Sequence, residues 1–212
     1  MLVEKIAKKD AKNVVIYFSD GEPLFLALEV FLKSGLRKNE EISDDRFSVL
    51  IRDNKLFYIK QRALRYLGRR AHSASELRIK LLQKKYEMDL INEVIEYLRN
   101  KNYLDDLEFA RQFSKDKMEL KSWSKKKTLA ALIKKGVKTD IIEDVLNENY
   151  NEESEFENAM IAARKKLKSI KMKSKDTNEI RNKLSSFLAL RGYDYETVKE
   201  ICNKLIKGND YD

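Results

Sequence analysis

Three segments of this chain repeat one another without gaps, and this repetition constrains the fold more than any other feature of the sequence. The segments cover residues 81–95, 132–146 and 188–202. Leu81, Leu132 and Leu188 are equivalent in this alignment. A period of roughly 50 residues is typical of stacked supersecondary units, which present a long surface to an extended partner. The sequence therefore predicts a repeat array and not the single core of a globular enzyme.

The spacing of caps and apolar residues predicts three short helices in each repeat. Only six glycines and one proline occur, which is too few for a loop-rich or all-β fold. Ser73 and Glu76 fit a capping box, and Ser124 is equivalent to Ser73 in the second repeat. Asp89 and Asp140 are predicted to cap the third helices of the first two repeats. The predicted fold is mainly α, with tandem three-helix-bundle repeats that form an elongated, curved array.

The helix breaks also align between repeats. Gly136 and Gly192 are equivalent, and each lies where a helix must stop and turn. Lys85 holds that place in the first repeat, so it must accept a left-handed conformation at some cost. Asp105 or Asp106 is predicted to cap the first helix of the second repeat.

The first part of the chain departs from this pattern. Residues 2–27 are rich in β-branched and aromatic residues, and they predict a small β-meander with Asp20-Gly21 as a hairpin turn. A short helix over 28–33 should follow and end at Gly35. Ser43 is predicted to cap a helix over 44–55, and a separate helix is predicted over 58–70.

These patterns divide the chain into a preface and three repeats. In the third repeat we predict a first helix over 155–167, a mobile basic stretch over 168–178, and frayed residues 208–212. The predicted domains are a strand-plus-helix preface over 1–57, and three-helix repeats over 58–104, 105–150 and 151–212.

Charge and composition favour a binding protein. The 212 residues carry 44 Lys and Arg against 35 acidic residues, a formal net charge of +9. A basic excess favours polyanions such as nucleic acid, a nucleoprotein or an anionic membrane, although a compositional bias of the genome would also enrich lysine. The lone Cys202 excludes an internal disulfide and is expected to be a core residue. No membrane-spanning run or signal-peptide core is seen, so a cytoplasmic location is expected.

The residues for catalysis or cofactor binding are missing from the sequence. His72 is the single histidine, so a two-histidine site is impossible, and one cysteine excludes a CxxC zinc site. No phosphate-binding glycine loop is present. Helix capping explains the adjacent carboxylates Asp105 and Asp106. The sequence therefore predicts no enzyme, no metal and no cofactor.

Clusters of basic residues recur at related places in successive repeats. On a regular curve they would form one positive track, but each could also be an ordinary solvated helix face or a cation at a helix C-terminus. Trp123 lies among polar residues in the sequence. It is either an exposed contact residue or a residue that packs at a helix junction. The candidate binding residues are Arg69, Arg70, Lys125, Lys126, Lys127, Lys134, Lys135, Arg164, Lys165, Lys166 and Arg191.

Residues 63–110 resemble the first repeat of the RecX family, the regulators of the RecA recombinase. The family pattern of the second repeat is met by Leu132, Lys135, Gly136 and Val137. The family often has a glycine where this chain has Trp123-Ser124, and the third repeat is a weaker match. The residues that carry the resemblance in the first repeat are Ala63, Leu64, Leu67, Arg70, Ser73, Glu76, Leu77, Leu81, Val94, Ile95, Leu98, Tyr103, Leu104, Asp105, Asp106, Phe109 and Ala110.

The resemblance implies binding along the helical groove of the RecA–single-stranded DNA filament. It further implies that RecA ATPase, coprotease and strand-exchange activities are damped, although some members modulate them in more than one direction. A monomer is the expected state. The alternative is a sequence-nonspecific DNA-binding protein that acts without a recombinase. The third helices open with Asp89, Asp140 and Glu196, whose charge would face phosphate, so groove reading by these helices is disfavoured.

Overall fold

The computed structural model describes residues 1–206, apart from the side chain of Glu152. Over these residues it contains ten α-helices and three β-strands. They form two compact units, and each is described by itself. The N-terminal unit comprises residues 1–71 and 77–104, and the C-terminal unit comprises residues 72–76 and the described residues from 105 onward. The predicted fraying of residues 208–212 and the last residues of the third repeat lie outside the described residues.

The predicted β-meander is confirmed in the N-terminal unit. Strands β1 (Val3–Lys8), β2 (Asn13–Phe18) and β3 (Leu24–Ala27) form an antiparallel sheet in the order β1-β2-β3. Gly21 has φ 89° in the turn between β2 and β3, where only a glycine is unstrained. One face of the sheet packs into a buried apolar cluster with the helices that follow.

Two helices follow the sheet, and the second corrects the sequence prediction. α1 (Leu28–Ser34) ends at Gly35 with φ 66°, and α2 (Asp44–Leu67) is capped by Ser43, as predicted. However, α2 is one continuous helix of 24 residues, so the two helices predicted over 44–55 and 58–70 are wrong. Residues 55–58 contain no helix breaker, and the apolar stripe continues through them in buried Leu56 and Ile59. The predicted domain limit at residue 57 lies inside α2, and the domain division stays a prediction.

The two third-helix caps were assigned to the wrong residues. α4 (Met88–Asn100) begins after Glu87, and α7 (Thr139–Asn149) begins after Lys138, in each case without a side-chain cap. Asp89 and Asp140 therefore lie in the first turn, where a carboxylate stabilises a helix through its dipole and not through a cap. α3 (Ala74–Leu82) precedes α4 in the first repeat.

The C-terminal unit contains two three-helix bundles in tandem. α5 (Asp106–Lys121) and α6 (Lys125–Lys134) pack with α7, and α8 (Glu152–Lys171), α9 (Thr177–Ala189) and α10 (Tyr195–Ile206) form the next bundle. Asp105 and Ser124 cap α5 and α6, as predicted. Leu132 and Leu188 are fully buried in two separate apolar clusters. The prediction of a mainly α fold with tandem three-helix bundles is confirmed.

α8 is longer at both ends than the helix predicted over 155–167. Asn151 and Ser154 form a reciprocal capping box that starts it earlier. Ile170, buried beyond Leu167, extends its apolar stripe through part of the stretch predicted to be mobile. Cys202 is buried in the same cluster, as predicted. Within residues 1–206, no helix is both long enough and apolar enough to cross a lipid bilayer.

Candidate functional site

A junction between α3 and the α6–α7 turn engages one of the predicted binding residues. The Ser73 hydroxyl donates to the backbone carbonyl of Lys135 at 2.5 Å and accepts the Glu76 N–H at 3.1 Å. The Glu76 carboxylate accepts a hydrogen bond from Lys135 Nζ at 2.7 Å, and both side chains are mostly buried. The predicted Ser73 cap is thus confirmed, and the Lys135 ammonium is engaged inside the protein.

A second junction joins the start of α6 to the α9–α10 turn, here through the backbone N–H of the capping serine and not through its hydroxyl. The Ser124 N–H donates to the backbone carbonyl of Arg191 at 2.9 Å. The Tyr193 hydroxyl donates to the Ser122 carbonyl at 3.1 Å, and Lys127 Nζ donates to the Leu190 carbonyl. Each junction therefore places the capping serine of one repeat on the carbonyl group that precedes Gly136 or Gly192 in the next.

These junctions explain why the two turns carry glycine. A Cβ at Gly136 would lie 2.3 Å from Ser75 Oγ, and a Cβ at Gly192 would lie 2.5 Å from Ser124 Oγ and 2.6 Å from Lys127 Cβ. Lys85, at the equivalent place in the first repeat, adopts φ 61° as predicted. The left-handed backbone thus tolerates lysine at position 85, whereas close packing of a segment from the preceding repeat requires glycine at positions 136 and 192.

Arg191 and Lys127 are held by contacts within the second junction. The Arg191 guanidinium lies 3.6 Å from the Phe187 ring centroid and donates to the Lys121 carbonyl at 3.1 Å. Burial lowers the pKa of this guanidinium from its ordinary value. Lys127 Nζ lies 4.6 Å from the centroid of the half-buried Trp123 ring, which packs edge-on against Phe113. Trp123 therefore packs at a helix junction.

α8 carries predicted cations in a different environment. The side chains of Arg164 and Lys165 are exposed and form no hydrogen bond or ion pair with the groups that the structure describes. Lys166 Nζ lies 5.6 Å from the Phe187 ring centroid. Lys165, Lys166 and Arg191 line one groove of about 350 Å³. The structure thus brings these three predicted residues together.

We call this feature the basic–apolar groove, since its walls combine lysines with exposed apolar side chains. Leu120 is 73% exposed and Ile161 is 58% exposed, although both are large apolar residues. An adjoining cavity of about 540 Å³ shares Lys166 and Phe187 and adds Leu190, also exposed. The basic–apolar groove is defined by Leu120, Lys121, Ile161, Lys165, Lys166, Phe187 and Arg191.

The lysines at the start of α6 belong to another, mixed-charge cleft. The cleft has a volume of about 850 Å³ and includes Glu143, Glu155 and Asp194 beside Lys125 and Lys126. The Lys125 N–H donates to Glu155 at 2.9 Å, and its Nζ donates to Asn147 at 2.9 Å. Hydrogen bonds from Thr197, together with the charge of Lys126, lower the pKa of Asp194. The basic–apolar groove has four cations and one acidic residue, Glu119, so it suits a polyanion better than this cleft does.

The remaining predicted residues lie at helix ends. Arg69 and Arg70 are exposed after α2 in the N-terminal unit, and Arg70 Nη1 donates to the Ala71 carbonyl at 2.7 Å. Lys134 is exposed in the last turn of α6. The continuous positive track, and contact of any of these residues with a partner, stay predictions.

Sequence reasoning missed the apolar part of the basic–apolar groove. Ile161 lies beside buried Ala162 and Ala163 on α8, and helical spacing alone places it off the buried stripe. That spacing was the available signal for an exposed apolar side chain. His72 is buried, and the described part of the chain contains no group of three or more His, Cys, Asp or Glu residues placed to hold a metal.

Three family models match consecutive parts of this chain. They are described as the first, second and third three-helix domains of RecX, and they match residues 60–98, 105–146 and 152–202 respectively. The three matches together cover more than half of the 212 residues. The order of the domains along the chain is the order of the three helical repeats.

Relatives of known family are similar to this chain over nearly its whole length. The chain is 30% identical to the "Regulatory protein RecX" of Clostridium botulinum (strain Eklund 17B / Type B) over 98% of this chain and 97% of the relative. It is 31% identical to that of Clostridium perfringens (strain 13 / Type A), over 98% and 96%.

Two solved structures share the fold. A crystal structure of regulatory protein RecX superposes with a TM-score of 0.68 at 19% identity, covering 98% of this chain and 99% of that one. RecX from Lactobacillus salivarius gives a TM-score of 0.58 at 24% identity, covering 72% and 97%. On the evidence of the family models and the relatives, this chain belongs to the RecX family of regulatory proteins.

Proposed function

We propose that this chain is a non-enzymatic, monomeric, cytoplasmic regulator that binds the RecA–single-stranded DNA filament. Its main effect is to inhibit RecA ATPase, strand exchange and coprotease activity. The observation that carries the proposal is the succession of three RecX three-helix domains over residues 60–202. A regulatory family with this domain order implies RecA as the partner, and a tandem array suits a periodic filament.

The basic–apolar groove is one surface of the C-terminal unit that we assign to the filament. Its cations favour an acidic or phosphate-bearing partner. Exposed Leu120 and Ile161 lie beside them, and apolar side chains of this size are stabilised when a partner surface removes them from water. A protein-coated nucleic acid therefore satisfies both components, whereas bare phosphate satisfies one.

The predicted cations then divide by environment. Four cations of the C-terminal unit keep exposed ammonium or guanidinium groups and are proposed contacts. They are Arg164 and Lys165 on α8, Lys126 on α6, and Lys134 at the end of α6. Arg69 and Arg70 are proposed contacts of the N-terminal unit. The other predicted cations of the C-terminal unit have internal partners and would act mainly by holding the surface in place. They are Lys125, Lys127, Lys135, Lys166 and Arg191.

Co-sedimentation at moderate salt tests the proposal. The full chain should sediment with RecA-coated single-stranded DNA more strongly than with bare single-stranded DNA, and it should lower RecA ATPase. The variant Lys165→Ala, which removes one exposed charge of the groove, should weaken both effects. Lys168→Ala, which removes one exposed charge from the same helix outside the groove, is the matched control.

Two outcomes would contradict the proposal. Equal binding to bare and coated strands would favour the alternative, a sequence-nonspecific DNA-binding protein that needs no recombinase. Equal reductions in the groove variant and in the control would show that total charge, and not the basic–apolar groove, determines filament binding.

A further inference from the structure

The N-terminal sheet lies outside the three matched RecX domains, because the first of them begins at residue 60. One face of this sheet is exposed. Val14, Ile16 and Leu26 point into the buried cluster beneath the sheet. Alternation along β2 and β3 places Tyr17 and Phe25 on the opposite face. They are 38% and 50% exposed. The sheet therefore presents two aromatic rings to solvent.

The strand register places the two ring-bearing residues on adjacent strands of the sheet. Val15 pairs with Phe25 on β3 and with Ala7 on β1, and Tyr17 pairs with Lys5. Tyr17 is therefore a diagonal neighbour of Phe25 on adjacent strands. Val15 is buried and adjoins both residues, since it pairs with Phe25 and lies two positions before Tyr17 on β2. This face therefore carries one exposed aromatic ring on each of two adjacent strands.

Lysines from β1 and the first hairpin cover these rings. Lys9 Nζ lies 4.2 Å from the Phe25 ring centroid, and Lys5 Nζ lies 5.6 Å from the Tyr17 ring centroid. Lys8 and Lys12 are also exposed in this hairpin. The carboxylate of Asp10, in the same hairpin, accepts hydrogen bonds from the Lys12 N–H at 2.7 Å and from the Asn13 side-chain amide. A flexible lysine can leave a ring and bind a phosphate beside it.

The strand that carries Phe25 is fixed to α2. Asn54 Nδ2 donates to the Phe25 carbonyl at 2.8 Å, and Asn54 Oδ1 accepts the Ala27 N–H at 2.9 Å. Tyr58 Oη donates to Asn13 Oδ1 at 2.6 Å at the start of β2. These bonds hold the ring-bearing backbone in place before any ligand arrives. A preorganised surface loses less conformational entropy on binding.

We propose that this face, defined by Lys5, Lys9, Val15, Tyr17 and Phe25, binds single-stranded nucleic acid by stacking unpaired bases on its two rings. Base–aromatic stacking does not depend on sequence, and cations beside the rings neutralise the backbone. A duplex keeps its bases stacked within the helix and cannot use the rings. The inference does not rest on the proposed regulation of RecA, because it concerns naked strands.

The test is the affinity of the full chain for a fluorescently labelled oligothymidylate at low salt, without recombinase. Tyr17→Ala/Phe25→Ala should weaken binding by about ten-fold for each ring removed. Tyr17→Phe should retain it. The matched control is Tyr195→Ala on α10, since that ring is 74% exposed with Lys199 Nζ at 5.8 Å from its centroid, but it stands outside the sheet.

Two further measurements do not depend on how well the double alanine variant folds. Lys5→Ala/Lys9→Ala should reduce the log–log salt slope by about 0.7 for each phosphate that the variant no longer neutralises. Bromodeoxyuridine in the oligonucleotide should photocrosslink to peptides that contain Tyr17 or Phe25. Crosslinks confined to other peptides would overturn the inference.

The inference is also overturned if the oligothymidylate does not bind, if a duplex competes as well as a single strand, or if Tyr195→Ala matches the sheet variant. Its failure is distinguishable from failure of the proposed function. A protein that binds RecA-coated strands but not naked oligothymidylate would lack the stacking site alone.

Discussion

Gly136 packs so closely on Ser75 that a Cβ at position 136 would lie 2.3 Å from Ser75 Oγ and 2.4 Å from Ser75 Cβ. At the next turn a Cβ at Gly192 would also lie 2.5 Å from a serine Oγ, that of Ser124, although Ser124 is equivalent to Ser73 and not to Ser75. Close approach, and not backbone conformation alone, therefore determines the residue type at these two turns.

Gly136→Ala should destabilise the C-terminal unit more than Gly35→Ala destabilises the N-terminal unit. Both glycines have nearly the same φ, 68° and 66°, but no atom would meet a Cβ at Gly35. A left-handed alanine costs about 1–2 kcal/mol, and overpacking at Gly136 should add about 1–3 kcal/mol. Urea unfolding followed by local hydrogen exchange measures both. Equal destabilisation would show that the packing against Ser75 relaxes at no cost.

Neighbouring lysines at the start of α6 should behave differently. Lys127→Ala removes the bond to the Leu190 carbonyl and the interaction with the Trp123 ring, and should lower the free energy of unfolding by about 1–2 kcal/mol. Lys126→Ala should change it by less than about 0.5 kcal/mol. It should instead reduce the salt slope of filament binding by about 0.7. Identical effects of the two substitutions would contradict the division between supporting and contacting lysines.

Leu188→Ala should loosen the third repeat and leave the N-terminal unit intact. Leu188 is fully buried in the cluster of α8, α9 and α10, so we expect destabilisation by about 2–5 kcal/mol. Amide protection should fall in α8–α10 and persist in α4, which belongs to the other unit. Leu81→Ala provides the reciprocal variant. A uniform fall in protection in both variants would indicate one cooperative core.

Tyr193 should make the protein sensitive to alkali. Burial raises the pKa of its phenol, whose hydroxyl donates to the Ser122 carbonyl. An unfolded tyrosine loses its proton near pH 10, about the ordinary value. Above that pH the unfolded chain binds fewer protons than the folded chain, so the free energy of unfolding falls as pH rises.

Tyr193→Phe should lower the free energy of unfolding at pH 7 by about 1 kcal/mol, because the hydrogen bond to the Ser122 carbonyl is removed. It should also make the decline above pH 10 less steep than in the parent. Tyr195→Phe, at an exposed position, is the control expected to leave the curve unchanged. Denaturant unfolding at a series of pH values measures the slope, and an unchanged slope in Tyr193→Phe would contradict the assignment.

Local chemistry made the repeat pattern visible in the sequence. The caps at Ser73, Ser124 and Asp105 and the left-handed turn at Gly136 depend on residues within a few positions of one another. The same holds for the apolar spacing that buries Leu132. An acidic residue near a helix start can lie either at the cap or in the first turn, and short spacing does not distinguish the two. Asp89 lies in the first turn, because α4 starts earlier than predicted.

The three helical repeats, most of their caps and the excess of cations follow from residue type and short spacing, so they can be read from the sequence. Which cations face solvent depends on the packing of the helices. Lys126 and Lys127 are adjacent in sequence, yet one is exposed and the other bonds to a carbonyl 63 residues away. Ser73 and Lys135, 62 residues apart, are joined in the same way. Interactions at such separations depend on how helices pack, which short-range spacing does not determine.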